Sequence, residues 1–94
     1  MPSGTQNTAL LRALAAEIKA LRGKRGISQD ELAHRANISR TFVAKIETAL
    51  NQPSITALFK LADGLEIAPD ELVRAVAVRL RKEERSESRN ARRS

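Results

Sequence analysis

Apolar positions recur at helical intervals along most of this chain and stop where glycine, proline or asparagine intervenes. Leu10, Leu11, Leu14, Ile18 and Leu21 predict a helix from Thr8 to about Lys24, with Gly23 and Gly26 loosening and then stopping it. Leu32, Ala33 and Ala36 form the apolar face of a second helix, roughly 28–36. Ser28 is placed to cap it, with Gln29, Asp30 and Glu31 in its first turn. Asn37 tolerates left-handed backbone and turns the chain. Ile38 plugs the corner, Ser39 caps a third helix, roughly 39–48, and Phe42, Val43 and Ile46 supply its inward face. Asn51-Gln52-Pro53 reads as a loop, after which Ser54 caps a fourth helix, roughly 55–63. That helix is predicted to turn Ile55, Leu58, Phe59 and Ala62 inward, and Gly64 is predicted as its left-handed C-cap. Pro69 opens a fifth helix, with Asp70 and Glu71 where the helix dipole favours negative charge. No period-two alternation occurs, so the expected fold is all-α.

The fifth helix is unusually apolar. Leu72, Val73, Ala75, Val76, Ala77, Val78 and Leu80 are interrupted only by Arg74 and Arg79, before Arg81 follows. That is more apolar surface than one core face needs, and it marks a candidate subunit interface at Val73, Val76, Val78 and Leu80, with Leu10 and Leu11 in support. Completion of a small core is the competing reading of the same residues. From Lys82 to Ser94, five basic and three acidic residues mix with serine and almost nothing apolar, which predicts a frayed helix end or a disordered tail. The expected organisation is a flexible leader at 1–7, one domain at 8–81 and a polar charged tail at 82–94.

The formal net charge of +6 suggests an anionic partner, although solubility charge explains it equally well from composition alone. Its distribution is uneven. Between Ser28 and Leu50, Arg35, Arg40 and Lys45 are balanced by Asp30, Glu31 and Glu47, and the surplus lies in Arg12, Lys19, Arg22, Lys24, Arg25 and the C-terminal arginines. Cysteine is absent, which removes thiolate chemistry, disulfides and Cys-based zinc sites. No signal-peptide pattern and no bilayer-length apolar run occur, so a soluble, cytoplasmic protein with no membrane partner is expected.

The chemistry-bearing feature is the helix pair at residues 28–47. Arg40, Thr41 and, one turn on, Lys45 are the polar residues left on the outer face of the third helix, and a short helix pair exposing such a face suits the DNA major groove. The residues that carry a resemblance are Gly26-Ile27-Ser28-Gln29, Glu31-Leu32-Ala33, Ile38-Ser39-Arg40, Ile46-Glu47, Pro53-Ser54, Leu58 and Leu61-Ala62. Ile18 with Leu21-Arg22 upstream and Pro69-Asp70-Glu71-Leu72 downstream extend it. From about Leu14 to Leu72 the chain resembles the Cro/cI-type (Xre) helix-turn-helix family. The resemblance implies a five-helix, lambda-repressor-like DNA-binding domain. It further implies that Gln29 holds a DNA phosphate and that Arg40 and Thr41, at the start of the third helix, reach base edges, with Lys45 on a base or a phosphate and Ser39 counted among the DNA-binding residues. Asn51 and Gln52 fall in the loop whose amides approach phosphate in the family, and Glu47 is expected to pair with Arg22. This chain departs from the pattern at Ala49, where glycine is common, and at Leu50 and Gln52, where basic residues are frequent.

Arginine suits guanine because its planar fork matches the O6 and N7 acceptors. The implied function is that of a sequence-specific DNA-binding transcriptional regulator, expected as a repressor, that binds a palindromic operator in double-stranded DNA as a homodimer. An antitoxin-like or adaptor protein-interaction module with secondary DNA binding is the alternative, motivated by the neutral charge across 28–50 and by Ala49 and Leu50. Catalysis, metal and cofactor are not expected. His34 is a single imidazole on an outward face, the serines are capping residues, and no glycine-rich phosphate loop occurs.

Overall fold

The computed structural model describes residues 7–93, and the side chains of residues 7–89. Five helices follow in order: α1 (Thr8–Arg25), α2 (Gln29–Ala36), α3 (Arg40–Glu47), α4 (Ile55–Gly64) and α5 (Pro69–Arg93). The leader expected at 1–7 lies outside the described residues except for Asn7, whose Oδ1 accepts from the Leu10 amide at 3.0 Å and caps α1.

Serine hydroxyls cap the next three helices at the predicted positions. Ser28 accepts from Glu31 N at 3.0 Å, Ser39 from Phe42 N at 3.0 Å and Ser54 from Ala57 N at 3.1 Å. Gly26 closes α1 in the left-handed conformation, φ 69°, and Asn37 closes α2 at φ 56°. Gly64 does not play the part predicted for it. It lies inside α4, and the left-handed residue is Glu66, φ 57°, two positions on. A Cβ at Gly64 would stand 3.0 Å from Leu32 Cδ1 and 3.1 Å from both Ala36 Cβ and Ala36 N, so glycine there permits α4 to approach α2. Arg25 secures the strained turn by donating from Nε to Leu65 O at 3.0 Å and from Nη2 to Glu66 O at 2.9 Å.

The core is one cluster drawn from all five helices, with Ile18, Leu32, Val43, Ile46, Leu61, Leu65 and Leu72 its largest fully buried side chains. α2 packs on both α3 and α4, while α1 lies along α5. The α1–α5 pair is antiparallel and bracketed by ion pairs, Arg79 Nε to Glu17 Oε1 at 2.6 Å and Arg12 Nη1 to Glu87 Oε1 at 3.5 Å. α5 runs on through the stretch predicted as a frayed end or tail, to Arg93. Burial does not hold that extension, whose side chains to Arg89 are mostly exposed. Arginine, lysine and glutamate are good helix formers, and low hydropathy reports missing packing rather than missing helix.

Two predictions about helix faces are corrected. Ile55 and Phe59 point outward, 69% and 53% exposed, and only Leu58 and Ala62 of the expected set join the core, together with Leu61. Ile55 and Phe59 line a surface concavity of about 560 Å³ between α4 and the end of α2, beside Arg35, Asn37 and Lys60. On α5, Val76 is buried in the core of its own chain, and Leu80 is half-buried against it. Of the expected interface residues, Val73 and Val78 are the exposed ones. Val73, Val76, Ala77 and Leu80, at i, i+3, i+4 and i+7, share a groove of about 420 Å³ with Leu10, Leu11 and Leu58. Val78 is not among its lining residues, because five residues on from Val73 it falls on another side of the helix.

Candidate nucleic-acid interface

The outer face of α3 is positioned by its inner one. Val43 and Ile46 are fully buried, so the register of this two-turn helix leaves Arg40, Thr41 and Lys45 in solvent. The left-handed Asn37 and the half-buried Ile38 set the angle at which α3 leaves α2. The start of α2 is anchored separately through Gln29, whose Nε2 donates to Glu47 Oε1 at 3.1 Å.

Glu47 is the hub. It is 3% exposed and receives Arg22 Nε at 2.8 Å on Oε2 and Arg22 Nη2 at 3.0 Å on Oε1. Arg22 Nη1 donates to Ile27 O at 3.0 Å, so one guanidinium ties the end of α1, the α1–α2 turn and the last residue of α3 together. Burial alone pushes the Glu47 carboxyl up. The hydrogen bonds from Arg22 and Gln29, with the charges of Arg22 and Lys19, outweigh that and hold it below the usual carboxylate range. The Glu47 hydrogen bonds raise the Arg22 guanidinium in turn. The pairing expected from the resemblance is therefore present, and Gln29 joins it.

Gln29, Arg40, Thr41 and Lys45 converge on one shallow depression of about 350 Å³, completed by Ala44, Thr48 and Leu50. Ser39 is exposed but not among the lining residues, and its Oγ accepts from the Phe42 amide, so its oxygen serves the helix as a cap. Asn51 is half-buried outside the depression, and Gln52 lines the α1–α5 groove instead. Ala49 adopts the left-handed conformation, φ 60°, at a cost of about 1 kcal/mol for a residue with a Cβ. Thr48 steadies the turn by donating from Oγ1 to Ala44 O at 3.0 Å. Two participants escape a reading by periodicity. Leu50 is an exposed apolar side chain at the rim, and Asp30 places Oδ1 3.4 Å from Arg40 Nε. Among the described residues no group of three or more His, Cys, Asp or Glu is placed to hold a metal ion, and no helix is long and apolar enough to cross a membrane.

Residues 18–72 match the helix-turn-helix family model, more than half of the chain. The immunity repressor protein of Bacillus phage phi105 is 39% identical over 56 residues, which is 60% of this chain and 39% of that protein. The chain thus spans about two fifths of that curated relative. The restriction-modification controller protein C.AhdI from Aeromonas hydrophila is 32% identical, with a TM-score of 0.64 over 66% of this chain and 94% of that one. The controller protein C.Esp1396I, solved as a tetramer in complex with its natural 35 base-pair operator, is 27% identical, with a TM-score of 0.71 over 76% of this chain and 93% of that one. The chain belongs to the helix-turn-helix family, of the Cro/cI (Xre) type. Family and fold are those of DNA-binding transcriptional regulators.

Proposed function

We propose that this protein is a cytoplasmic, non-enzymatic transcriptional repressor that binds a palindromic operator in double-stranded DNA as a homodimer. The observation that carries the reading is the convergence of Gln29, Arg40, Thr41 and Lys45 on one depression formed by the starts of α2 and α3. α3 enters the major groove. Arg40 and Thr41 read base edges, Lys45 contacts a base or phosphate, and Gln29 grips the backbone from the network that also fixes Glu47. Ser39 and Asn51 flank this surface, and residues 8–81 form the binding unit, with 82–94 as an accessory charged extension. Gln52, exposed in the loop after α3, is kept as a phosphate contact of that loop although it also lines the α1–α5 groove.

A second copy of this chain is the occupant proposed for the groove between α1 and α5. One helix-turn-helix covers a single half-site, and two copies related by a twofold axis set their recognition helices ~34 Å apart. A twofold interface needs a self-complementary apolar patch, which Val73, Leu80, Leu10 and Leu11 supply, with Val76 forming its floor. The tetrameric assembly of C.Esp1396I on its operator supports association of this kind.

Binding to a labelled random-sequence duplex, measured by anisotropy across a salt series, tests the reading. Affinity that falls linearly on log–log axes with rising salt supports DNA binding, since each neutralised phosphate releases counterions. No binding at low salt favours the protein-interaction alternative, for which the exposed Ile55–Phe59 patch is the available surface.

A further inference from the structure

Beside the depression that presents Arg40, and outside its lining, stands a carboxylate. Asp30, in the first turn of α2, stands with Oδ1 3.4 Å from Nε of Arg40. Both side chains project into solvent, 66% and 73% exposed, so their attraction contributes little to stability. Its position is what matters. Asp30 follows Gln29 directly and is exposed beside the surface that is to face a polyanion, where an unpaired carboxylate is repelled.

The nitrogen engaged matters as well. Guanine O6 and N7 accept from two parallel N–H groups of one guanidinium. The nearest approach, an ion pair rather than a hydrogen bond, is at Nε, the side of the guanidinium away from a guanine held by the terminal pair, Nη1 and Nη2.

We propose that Asp30 is a specificity-determining residue of this interface, which holds Arg40 by Nε, aims Nη1 and Nη2 at a guanine, and penalises duplexes that offer no guanine there. The inference rests on the base-reading role proposed for Arg40. On the matching base both charges stay satisfied, because Arg40 keeps Asp30 while its terminal nitrogens reach O6 and N7. On any other base Arg40 gains most by swinging to a phosphate, which abandons Asp30 as an unpaired carboxylate in the negative field of the duplex. A lone arginine would bind such duplexes through the phosphate alone. Asp30 removes that escape.

The test compares wild type with Asp30→Ala, Asp30→Asn, Arg40→Ala and the Asp30→Ala/Arg40→Ala double variant. The probes are the duplex that wild type enriches from a random library and its single-base-pair substitutions. For Asp30→Ala, affinity for the enriched duplex is expected to stay within about threefold. Duplexes altered at the Arg40 base pair should bind about tenfold tighter than they bind wild type, within the range that one bidentate pair discriminates. Asp30→Asn keeps an oxygen acceptor without the charge and is expected to fall between the two. In the Arg40→Ala background, Asp30→Ala should shift every duplex by one common factor. If Asp30→Ala alone shifts all duplexes by the same factor, Asp30 acts as general repulsion and the proposal is overturned; it is also overturned if nothing changes. Failure of the underlying reading looks different, because Arg40→Ala would then leave the base preference of wild type intact.

Discussion

Replacing Glu47 with alanine removes the acceptor of three hydrogen bonds at once, two from Arg22 and one from Gln29. It also leaves the Arg22 guanidinium without its counter-charge. Breaking a buried pair by deleting one partner costs about 3–5 kcal/mol. Arg22 keeps its bond to Ile27 O and its side chain is 23% exposed, so water can reach part of it and the low end applies. An expected loss of about 3 kcal/mol corresponds to a fall in melting temperature of about 15 °C in a domain of this size. Circular dichroism during heating, with urea unfolding as a check on the free energy, measures it. The double variant Arg22→Met/Glu47→Leu is expected within about 2 kcal/mol of wild type, because an apolar pair of similar volume needs no desolvation. Acid provides an independent control. Glu47 is held below its unfolded value of about 4.3, so its contribution is complete above that pH and disappears as pH falls through the lower folded value. The stability gap between wild type and Glu47→Gln should therefore begin to narrow below about pH 4.3 and close only once pH has passed the lower folded value. A Glu47→Ala melting temperature within about 3 °C of wild type would refute the argument that this network ties α1, α2 and α3 together.

Arg40→Ala should weaken binding to the selected duplex by ~1–3 kcal/mol and relax preference at one base pair per half-site, whereas Gln29→Ala should weaken all duplexes alike, as competition titrations would show. Val73→Glu places a charge in the α1–α5 groove from an exposed position, so sedimentation at micromolar concentration should find folded monomer, while Phe59→Glu on the opposite side of α4 should remain dimeric. Removing residues 86–94 should lower the melting temperature by no more than about 5 °C, since among the described residues the Arg12–Glu87 surface pair is the ion pair given up.

The sequence was most readable where local chemistry decides the structure. Three serine caps and the left-handed Asn37 follow from side chains acting on their own backbone, whereas the left-handed Ala49 showed only as a departure from the family's glycine, since its methyl group opposes that conformation. The Arg22–Glu47 pair was legible through family resemblance, because residues 25 positions apart leave no periodic mark. Phase was the weak point. α4 carries apolar residues at 55, 57, 58, 59, 61 and 62, which make two overlapping stripes, and the fit of Gly64 against Leu32 and Ala36 goes with the one that faces inward. α5 posed the same difficulty, with Val76 taken by the core and Val73 left outside. Asp30 was invisible as a partner of Arg40, since their approach depends on the α2–α3 angle.

Selection of duplexes from a random-sequence library by the wild-type protein, followed by sequencing, tests the central claim most directly. If two α3 helices read one operator across a twofold axis, the enriched sites will be inverted repeats with half-site centres about 10 base pairs apart and a guanine in each half that Arg40→Ala no longer requires. Enrichment of a single, asymmetric half-site, or no enrichment at all, would contradict it.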